Sequence, residues 1–269
     1  MVCFPNAKIN IGLEIVSKRK DGFHNIVSGI YPIKYCDILE ISESDKFKFT
    51  HTGLSIPDNG KDNLIVQAYH LLKEKNDIPA VEIHLHKVIP TGAGLGGGSS
   101  DASFTLITLN HLFDLNYNLN ELEKFASRLG ADCPFFVRNK PGIVFEKGDI
   151  FKPVEFNVSG YWLVVVTPDI HISTHDAYSF TKPSHGKSEW IKFLSKSPES
   201  WKTNISNSFE DNILTKYPEL DKIKAKLIIE GAIYSSLSGS GSSVYGIFKE
   251  RVNLKNKFPA TYKMWNGKL

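Results

Sequence analysis

The chain has 269 residues, of which 41% are hydrophobic and 23% charged, a composition typical of a soluble globular protein and unlike a disordered or fibrous one. Its 32 Lys and Arg residues are interspersed with 29 acidic residues, so no basic arm suited to nucleic acid is evident. The three cysteines lack a zinc-binding spacing, and no signal peptide or membrane-spanning apolar stretch is recognisable. We therefore predict a cytoplasmic protein that binds neither nucleic acid nor membranes.

The first part of the chain is predicted to begin with a long hairpin. Two apolar runs flank the sequence KRKDGFH, in which Asp21-Gly22 is a strong turn signal. Apolar spacing then indicates an amphipathic helix, and strict alternation of apolar and polar residues indicates a half-buried strand before residue 90. The elements predicted here are strands over 7–16, 26–33, 37–42, 47–50 and 81–88 and a helix over 63–74.

The second part mixes helices and strands in an order that is not a repeated βαβ unit. This order predicts an α+β chain and argues against a doubly wound sheet. A polar stretch near residue 155 suggests two domains, 1–155 and 156–269. The elements predicted here are helices over 99–113, 119–129, 174–180, 189–194 and 220–230 and strands over 142–146, 161–167, 233–236 and 244–249.

The segment PTGAGLGGGSSDAS, from Pro90 to Ser103, carries the strongest functional signal. Five glycines and three serines in so short a span serve packing badly. Glycine can adopt positive φ and turn its amide groups toward a common centre, and a helix starting just after adds the positive end of its macrodipole. The segment therefore predicts a binding site for a polyphosphate.

Several nucleotide-binding motifs compete for this segment. A formal G-x-G-x-x-G occurs at Gly92, Gly94 and Gly97, but Asp114 does not end a second strand as a dinucleotide fold requires. No lysine follows the glycines as in a P-loop, and the HRD and DFG elements of protein kinases are missing. The pattern that remains is a strand, a loop and a helix whose first turn carries Ser99, Ser100 and Asp101. Taken one at a time, these residues are also explained as an ordinary helix cap and first turn.

Four motifs in order resemble those of the GHMP small-molecule kinases. They are FPNAKINIGLEI, PTGAGLGGGSSDAS, GADCPFF and SLSGSGSSVYGIF, and the similarity runs from Phe4 to about Phe248. The resemblance implies a two-domain α+β fold, with an N-terminal β-α domain like those of ribosomal proteins and elongation factors. The C-terminal domain would be ferredoxin-like, with the active site between the two. Within the family, the chain resembles the kinases of a cytidine diphosphate-linked methylerythritol in non-mevalonate isoprenoid (terpenoid) biosynthesis. The segments that carry this narrower resemblance are NAKINIGL, KRKDGFH, DNLIVQA and GADCPFFV.

The resemblance implies ATP as phosphoryl donor and Asp132 as the catalytic base. Lys8 would keep Asp132 ionised and steady charge on the acceptor. Without the resemblance, Asp132 reads as a surface residue that caps a turn, and Lys8 as an edge-strand lysine whose charged end reaches solvent. Mg2+ would arrive with ATP, held mostly by phosphate oxygens and water, so no metal-ligating residue is predicted.

The predicted ATP-binding residues comprise the glycine-rich segment and two residues near adenine, Asn63 and Leu64, which a helix start after Asp62 also explains. The residues of the segment expected to wrap the phosphates are Pro90, Thr91, Gly92, Ala93, Gly94, Leu95, Gly96, Gly97, Gly98, Ser99 and Ser100.

The resemblance places recognition of the acceptor substrate on the hairpin and on the segment HISTHDAYSF. Asn10 and His24 suit hydrogen bonds to the cytosine edge and diphosphate, and Phe23 offers a ring for stacking. The family usually has tyrosine at this position, so Phe23 can stack but has no hydroxyl to donate. Thr174 would contact the methylerythritol, and Tyr178 would provide a second aromatic face for the base.

Two alternatives remain open on the sequence alone. One is another small-alcohol kinase of the family, such as homoserine or mevalonate kinase, against which the DGFH hairpin argues. The other is a catalytically inactive relative that binds a ligand, which the presence of both Lys8 and Asp132 disfavours. The sequence does not indicate an oligomeric state.

Overall fold

The computed structural model describes residues 1–57, 60, 62–183 and 188–269. The chain forms two compact units, each assembled from separate stretches of sequence. Unit 1 comprises Met1–Ala7, Lys34–Thr91 and Gly96–Lys140, and unit 2 comprises Lys8–Ile33, Gly92–Leu95 and Pro141–Leu269. The boundary between two domains near residue 155 stays a prediction of the sequence.

The strands described are, in chain order, β1 Val2–Cys3, β2 Asn6–Lys18, β3 His24–Cys36, β4 Ile38–Glu43, β5 Lys48–Gly53, β6 Val81–Lys87, β7 Gly142–Glu146, β8 Ile150–Pro153, β9 Trp162–Thr167, β10 Tyr234–Leu237, β11 Val244–Phe248 and β12 Lys263–Lys268. The α-helices described are α1 Leu64–Lys73, α2 Gly97–Leu112, α3 Leu119–Ala126, α4 Cys133–Arg138, α5 Thr174–Phe180, α6 Glu210–Lys216 and α7 Pro218–Ile229, and short 3-10 helices cover Glu189–Phe193 and Pro198–Ser200.

Unit 1 is a four-stranded sheet covered by helices. The strand order is β1-β4-β6-β5, with β5 parallel to β6 and the other pairs antiparallel. Every second residue of β6 is buried, as expected for a strand with one covered face. These residues are Val81, Ile83 and Leu85. These residues share a core with apolar residues of α1, α2, α3 and α4. The core holds the strand that enters the glycine-rich loop and the helix that leaves it.

Local sequence signals define the helix starts in unit 1. The Asn63 side chain accepts a hydrogen bond from the Ile65 amide and caps α1. Asn118 and Glu121 form a capping box at the start of α3. Helix α2 has no side-chain cap, because it starts after Gly96 in a left-handed conformation.

Unit 2 contains the predicted hairpin. Strands β2 and β3 are joined by a tight turn in which the Arg19 amide donates to the Phe23 carbonyl at 2.8 Å and Gly22 has φ +87°. The sheet continues with β7 and β8 in the order β2-β3-β7-β8. The turn signal at Asp21-Gly22 therefore predicted the hairpin correctly.

The second sheet of unit 2 has the strand order β10-β11-β9-β12 and is antiparallel throughout. In sequence order within this sheet, that is the 4-1-3-2 arrangement of a ferredoxin-like domain. Helices α5, α6 and α7 pack on it, and their apolar residues share one core with strand residues such as Val164, Val166 and Val244. Among the described residues, no helix has the length and apolar character that crossing a bilayer requires.

The structure adds elements that the sequence patterns did not indicate. Helix α2 begins at Gly97, two residues before the predicted start, because Gly97 and Gly98 join the helix. Helix α3 ends at Ala126, three residues before the predicted end. The short elements β8, α4, α6 and β12 were not predicted, since each spans only four to seven residues and lacks a complete period.

Candidate active site

The glycine-rich loop alternates buried side chains with left-handed glycines. Gly92, Gly94 and Gly96 have φ values of +63°, +77° and +69°, a region that other residues rarely adopt. Between them, Ala93 and Leu95 are buried. An alternation of this kind turns successive amide groups toward one side of the chain, which is the geometry of an anion-binding nest.

The second glycine-serine cluster holds this loop by its carbonyl oxygens. The Ser238 hydroxyl donates to the Gly94 carbonyl at 2.8 Å, and the Ser243 amide donates to the Ala93 carbonyl at 3.1 Å. The approach requires glycine, because a Cβ at Gly94 would lie 1.9 Å from the Ser238 carbonyl oxygen. The sequence SLSGSGSS therefore fixes the backbone of the first glycine-rich segment.

The amide groups of the loop are left available. The loop's hydrogen bonds to the protein use its carbonyls, including that of Leu95, which accepts from the Lys8 amide at 2.9 Å. Helix α2 follows directly and adds the positive end of its dipole. The loop and helix start thus offer several N–H donors to an anion. Amides that donate to no described residue are those of Gly94, Gly96, Gly97 and Gly98.

The ends of the predicted phosphate-binding segment differ in exposure. Pro90 and Thr91 are half-buried before the loop, and Ser99 is half-buried in the first turn of α2. Ser100 is fully buried, and its hydroxyl has no hydrogen-bond partner among the described residues. Among the residues that the structure describes, no cluster of His, Cys, Asp and Glu could hold a metal ion.

Asp132 lies at the start of α4, next to a residue that contacts α2. The Ser103 hydroxyl donates to the Cys133 carbonyl at 2.7 Å. Asp132 occupies the N-cap position of α4, but its carboxylate makes no capping hydrogen bond to that helix.

Cys133 is a buried structural thiol. Burial raises the pKa of Cys133 to about 12, and the nearby charge of Asp132 adds to this rise, while hydrogen bonds with Ser99 and Ser103 lower it. At neutral pH the side chain is a neutral thiol and a poor nucleophile. Its contact with Ser99 places it against the first turn of α2.

Lys8 is buried in β2 within a polar network. Its ammonium nitrogen donates to the Asn10 side-chain oxygen at 2.5 Å, and Asn10 in turn donates to the Ser28 hydroxyl at 2.8 Å. Lys8 and Asn10 are two residues apart on one strand, and the intervening Ile9 is buried. This network orients the ammonium group, and it occupies the Asn10 amide, so a contact of Asn10 with cytosine stays a prediction.

Asn63 and Leu64 have structural roles at the start of α1. Asn63 caps the helix, and Leu64 packs at the edge of the apolar core of unit 1. These roles agree with the structural alternative weighed above, and their proximity to adenine stays a prediction.

The residues predicted to bind the acceptor include an aromatic pair. The rings of His24 and Tyr178 stack with centroids 4.7 Å apart and an interplanar angle of 13°. Burial lowers the pKa of His24, and the charge of Lys18 acts in the same direction, so the imidazole is neutral at pH 7. Tyr178 also meets Phe209 edge-on. The structure thus brings together His24 of the hairpin and Tyr178 of α5.

Phe23 stands exposed at the end of the hairpin. It is 59% exposed, and the Lys147 ammonium lies 5.5 Å from its ring centroid. Thr174 is likewise exposed, at the first position of α5 after the cap Ser173. Neither side chain is needed for packing, so both are available to a ligand.

One cluster of buried ionisable side chains was not predicted from the sequence. Lys87 binds Asp37 and Asp101 in unit 1. The signal was present, because Lys87 continues the inward-facing series Val81, Ile83 and Leu85, so period-two alternation places it on the buried face.

Comparisons with known proteins agree with this geometry. The model of the GHMP kinases N terminal domain matches residues 63–140, and that of the GHMP kinases C terminal domain matches residues 191–263. The chain is 48% identical over 251 residues to the 4-diphosphocytidyl-2-C-methyl-D-erythritol kinase of Azobacteroides pseudotrichonymphae, covering 93% of this chain and 94% of that protein. It is 43% identical to the enzyme of the same name from Parabacteroides distasonis, with 100% of both chains covered.

A solved structure shows the same fold. The crystal structure of a 4-(cytidine 5'-diphospho)-2C-methyl-D-erythritol kinase superposes with a TM-score of 0.86 at 28% identity, covering 99% of this chain and 98% of that chain. The two-domain α+β fold expected from the motifs is confirmed. The chain belongs to the GHMP kinases, in the family of the 4-diphosphocytidyl-2-C-methyl-D-erythritol kinases.

Proposed function

We propose that the chain transfers the γ-phosphoryl group of ATP to the 2-hydroxyl of 4-diphosphocytidyl-2-C-methyl-D-erythritol. The observation that carries the proposal is the loop at Gly92, Gly94 and Gly96, which is bonded through its carbonyls while its amides are available. A loop of this kind at a helix start binds phosphate groups through its amides. The relatives named above support the choice of acceptor.

The loop performs the electrostatic part of the reaction. Its amides and the start of α2 bind phosphate oxygens, and their positions are fixed before the ligand arrives because Ser238 and Ser243 hold the backbone. Donors fixed in this way stabilise charge in the transition state without reorganising. Pro90, Thr91, Ser99 and Ser100 complete the segment in this proposal.

Mg2+ is proposed to bind with the nucleotide. No described cluster of carboxylates, histidines or cysteines would cage it, and magnesium commonly keeps water and phosphate ligands. The residues present fit this mode, because the buried Ser100 hydroxyl lacks a protein partner in the first turn of α2. When bound, Mg2+ neutralises charge on the β- and γ-phosphates.

Asp132 is proposed as the base. Its carboxylate accepts the proton of the acceptor hydroxyl, that oxygen forms a bond to the γ-phosphorus, and the bond from phosphorus to the β-bridging oxygen breaks to release ADP. Lys8, held by Asn10, supplies positive charge that offsets the charge on the reacting oxygens. The polar network of β2 fixes the direction of that ammonium.

Recognition of the cytidine is proposed to use the hairpin and α5. Phe23 supplies an exposed face for stacking, and the neutral imidazole of His24 can donate or accept a hydrogen bond at the cytosine edge. The His24 and Tyr178 rings are in direct contact, so a base can stack on the outer face of the pair or displace one ring. Thr174 is proposed to contact the methylerythritol.

Product analysis tests the proposal. Purified protein is incubated with ATP, Mg2+ and the cytidyl substrate, and phosphorus NMR and mass spectrometry follow the products. We expect one ADP for each molecule of monophosphorylated acceptor. ATP hydrolysis without acceptor phosphorylation, or no reaction, would contradict the proposal.

A panel of acceptors separates the alternatives. Homoserine and mevalonate are offered under the same conditions, together with the cytidyl substrate. Phosphorylation of either small alcohol without the cytidyl substrate would assign the chain to another reaction of the superfamily. ATP binding without turnover on any acceptor would indicate an inactive ligand-binding relative.

A further inference from the structure

Three buried ionisable side chains meet beside the ends of the glycine-rich loop. The Lys87 ammonium nitrogen lies 2.5 Å from an Asp37 carboxylate oxygen and 2.7 Å from an Asp101 carboxylate oxygen. All three side chains are at most 3% exposed. Burying three such groups carries a large desolvation penalty, and apolar residues of similar volume often give equal stability. Their presence here suggests a task other than stability.

Asp37 also holds the backbone that enters the loop. Its second carboxylate oxygen accepts hydrogen bonds from the amides of Val88 and Ile89 at 2.6 and 2.8 Å. Pro90 follows these residues directly. The Tyr35 hydroxyl adds a bond to the Val88 carbonyl at 3.0 Å. Side chains therefore bond both the backbone amides and a backbone carbonyl at the entry to the loop.

Asp101 holds the backbone that leaves the loop. It sits in α2, four residues after the helix begins at Gly97. A Cβ at Gly97 would lie 3.0 Å from the Lys87 ammonium nitrogen, so the start of the helix rests on this side chain. One lysine therefore joins the end of strand β6 to the first turns of α2, and the loop closes between these two points.

The charges in the cluster favour this link between β6 and α2. Burial opposes the charge on Lys87, but the neighbouring Asp101 and Asp37 carboxylates outweigh it and raise the pKa of Lys87 above its usual value. The other Asp101 oxygen has no hydrogen-bond partner among the described residues. Asp37 alone can neutralise Lys87, so removal of the Asp101 carboxylate leaves a balanced pair.

We infer that the Asp37–Lys87–Asp101 cluster is a positioning element for ATP, which fixes the distance between the two ends of the phosphate-binding loop. None of the three needs to touch the nucleotide. The inference rests on the proposed function, because it assumes that the loop binds ATP. It assigns a role in nucleotide affinity to residues that the reaction itself does not use.

Asp101→Ala tests the inference, because it cuts the link to α2 and leaves Lys87 paired with Asp37. Calorimetry measures binding of a non-hydrolysable ATP analogue, and steady-state kinetics measure KM for ATP, KM for the acceptor and kcat. We expect the dissociation constant and KM for ATP to rise about tenfold, the order expected when preorganised donors move. The acceptor KM should stay within about twofold.

Controls separate positioning from stability. Thr108→Ala removes a different buried polar group from α2, a hydroxyl that bonds the Cys3 sulfur at 3.3 Å and lies about three turns after the start of the helix. It should lower the melting temperature without changing the ATP parameters. Asp101→Asn keeps an oxygen that accepts from Lys87, so it should recover most of the affinity. If the alanine variant does not fold, Asp101→Ser carries the same test.

The outcomes decide between the claims. Normal ATP affinity in a folded Asp101→Ala or Asp101→Ser variant overturns the inference while the wild-type protein still phosphorylates its acceptor. An equal loss of affinity in Thr108→Ala also overturns it, since general destabilisation would explain the effect. A wild-type protein that binds no ATP analogue would instead refute the proposed function.

Discussion

The Ser103 hydroxyl donates a 2.7 Å hydrogen bond to the carbonyl oxygen of Cys133 and so joins helix α2 to the residue that follows Asp132. Helix α2 grows directly out of the glycine-rich loop. Asp132 is distant from the loop in sequence, but its neighbour Cys133 is therefore bonded to the helix that follows the loop. This bond connects two segments that are distant in sequence, PTGAGLGGGSSDAS and GADCPFF, to which we propose roles in the same reaction.

Ser103→Ala tests this link. The variant removes a buried hydrogen bond, and we expect the free energy of unfolding to fall by about 0.5–1.5 kcal/mol. We also expect kcat to fall more than ATP affinity, since α4 carries the proposed base. Urea denaturation and steady-state kinetics measure both effects. The control Ser127→Ala removes an exposed hydroxyl bonded to Lys124, and an equal response in both variants would contradict the link.

Gly94→Ala and Gly98→Ala form a matched pair within the loop region. A Cβ at Gly94 would lie 1.9 Å from the Ser238 carbonyl oxygen, and φ there is +77°. A Cβ at Gly98 would meet nothing within 4 Å. We expect Gly94→Ala to lower the free energy of unfolding by about 3 kcal/mol or more, and Gly98→Ala to change it by less than about 1 kcal/mol. Similar denaturation midpoints for the two variants would contradict the described loop backbone.

Phe23→Ala tests cytidine recognition. Phe23 is 59% exposed, so its removal should barely change stability, whereas loss of base stacking costs about 1–3 kcal/mol. We expect KM for the cytidyl substrate to rise about tenfold or more at unchanged KM for ATP. Ile229→Ala, at a position 75% exposed on α7, is the control. An unchanged acceptor KM in Phe23→Ala would remove this residue from the substrate site.

The stability of the protein should depend on pH through Asp101. Burial, together with the charge of Asp37, raises the pKa of Asp101 to about 8. The unfolded carboxyl titrates near pH 4. Between about pH 4 and 8 the folded state therefore holds a proton that the unfolded chain releases, so the free energy of unfolding falls as pH rises in this window.

Asp101→Asn removes this titration. Urea denaturation at several pH values between about 5 and 8 should show a shallower decline for the variant than for the wild type. Lys87 and Asp37 remain in both proteins, so the difference between the two curves isolates Asp101. Parallel curves would show that Asp101 does not hold a proton in the folded state.

Local sequence rules predicted the elements that carry strong signals. The Asp21-Gly22 turn and the strand over 142–146 were found where the residues indicated. Short helices such as α4 escaped, because six residues around Pro134 contain no full amphipathic period. The buried Lys87 was missed although its strand position indicated an inward side chain, because a charged residue is expected to be exposed.

The candidate site likewise has features that local sequence rules predict and features that they do not. The positive φ values at Gly92, Gly94 and Gly96 agree with the glycine spacing, because glycine adopts positive φ with little strain. The stacking of His24 on Tyr178 and the bond from Ser238 to Gly94 depend on the folding of distant segments. No local pattern encodes such contacts, and His24 and Tyr178 were predicted only through family resemblance.

Asp132→Asn tests the central claim most directly, with Asp114→Asn on an exposed turn as its control. The measurement is phosphorylation of the cytidyl substrate at saturating ATP, alongside calorimetric binding of a non-hydrolysable ATP analogue. We expect analogue binding within about twofold of the wild type and a loss of kcat of about 10²- to 10⁴-fold, the usual contribution of a general base. Turnover near that of the wild type in Asp132→Asn would contradict the proposed mechanism.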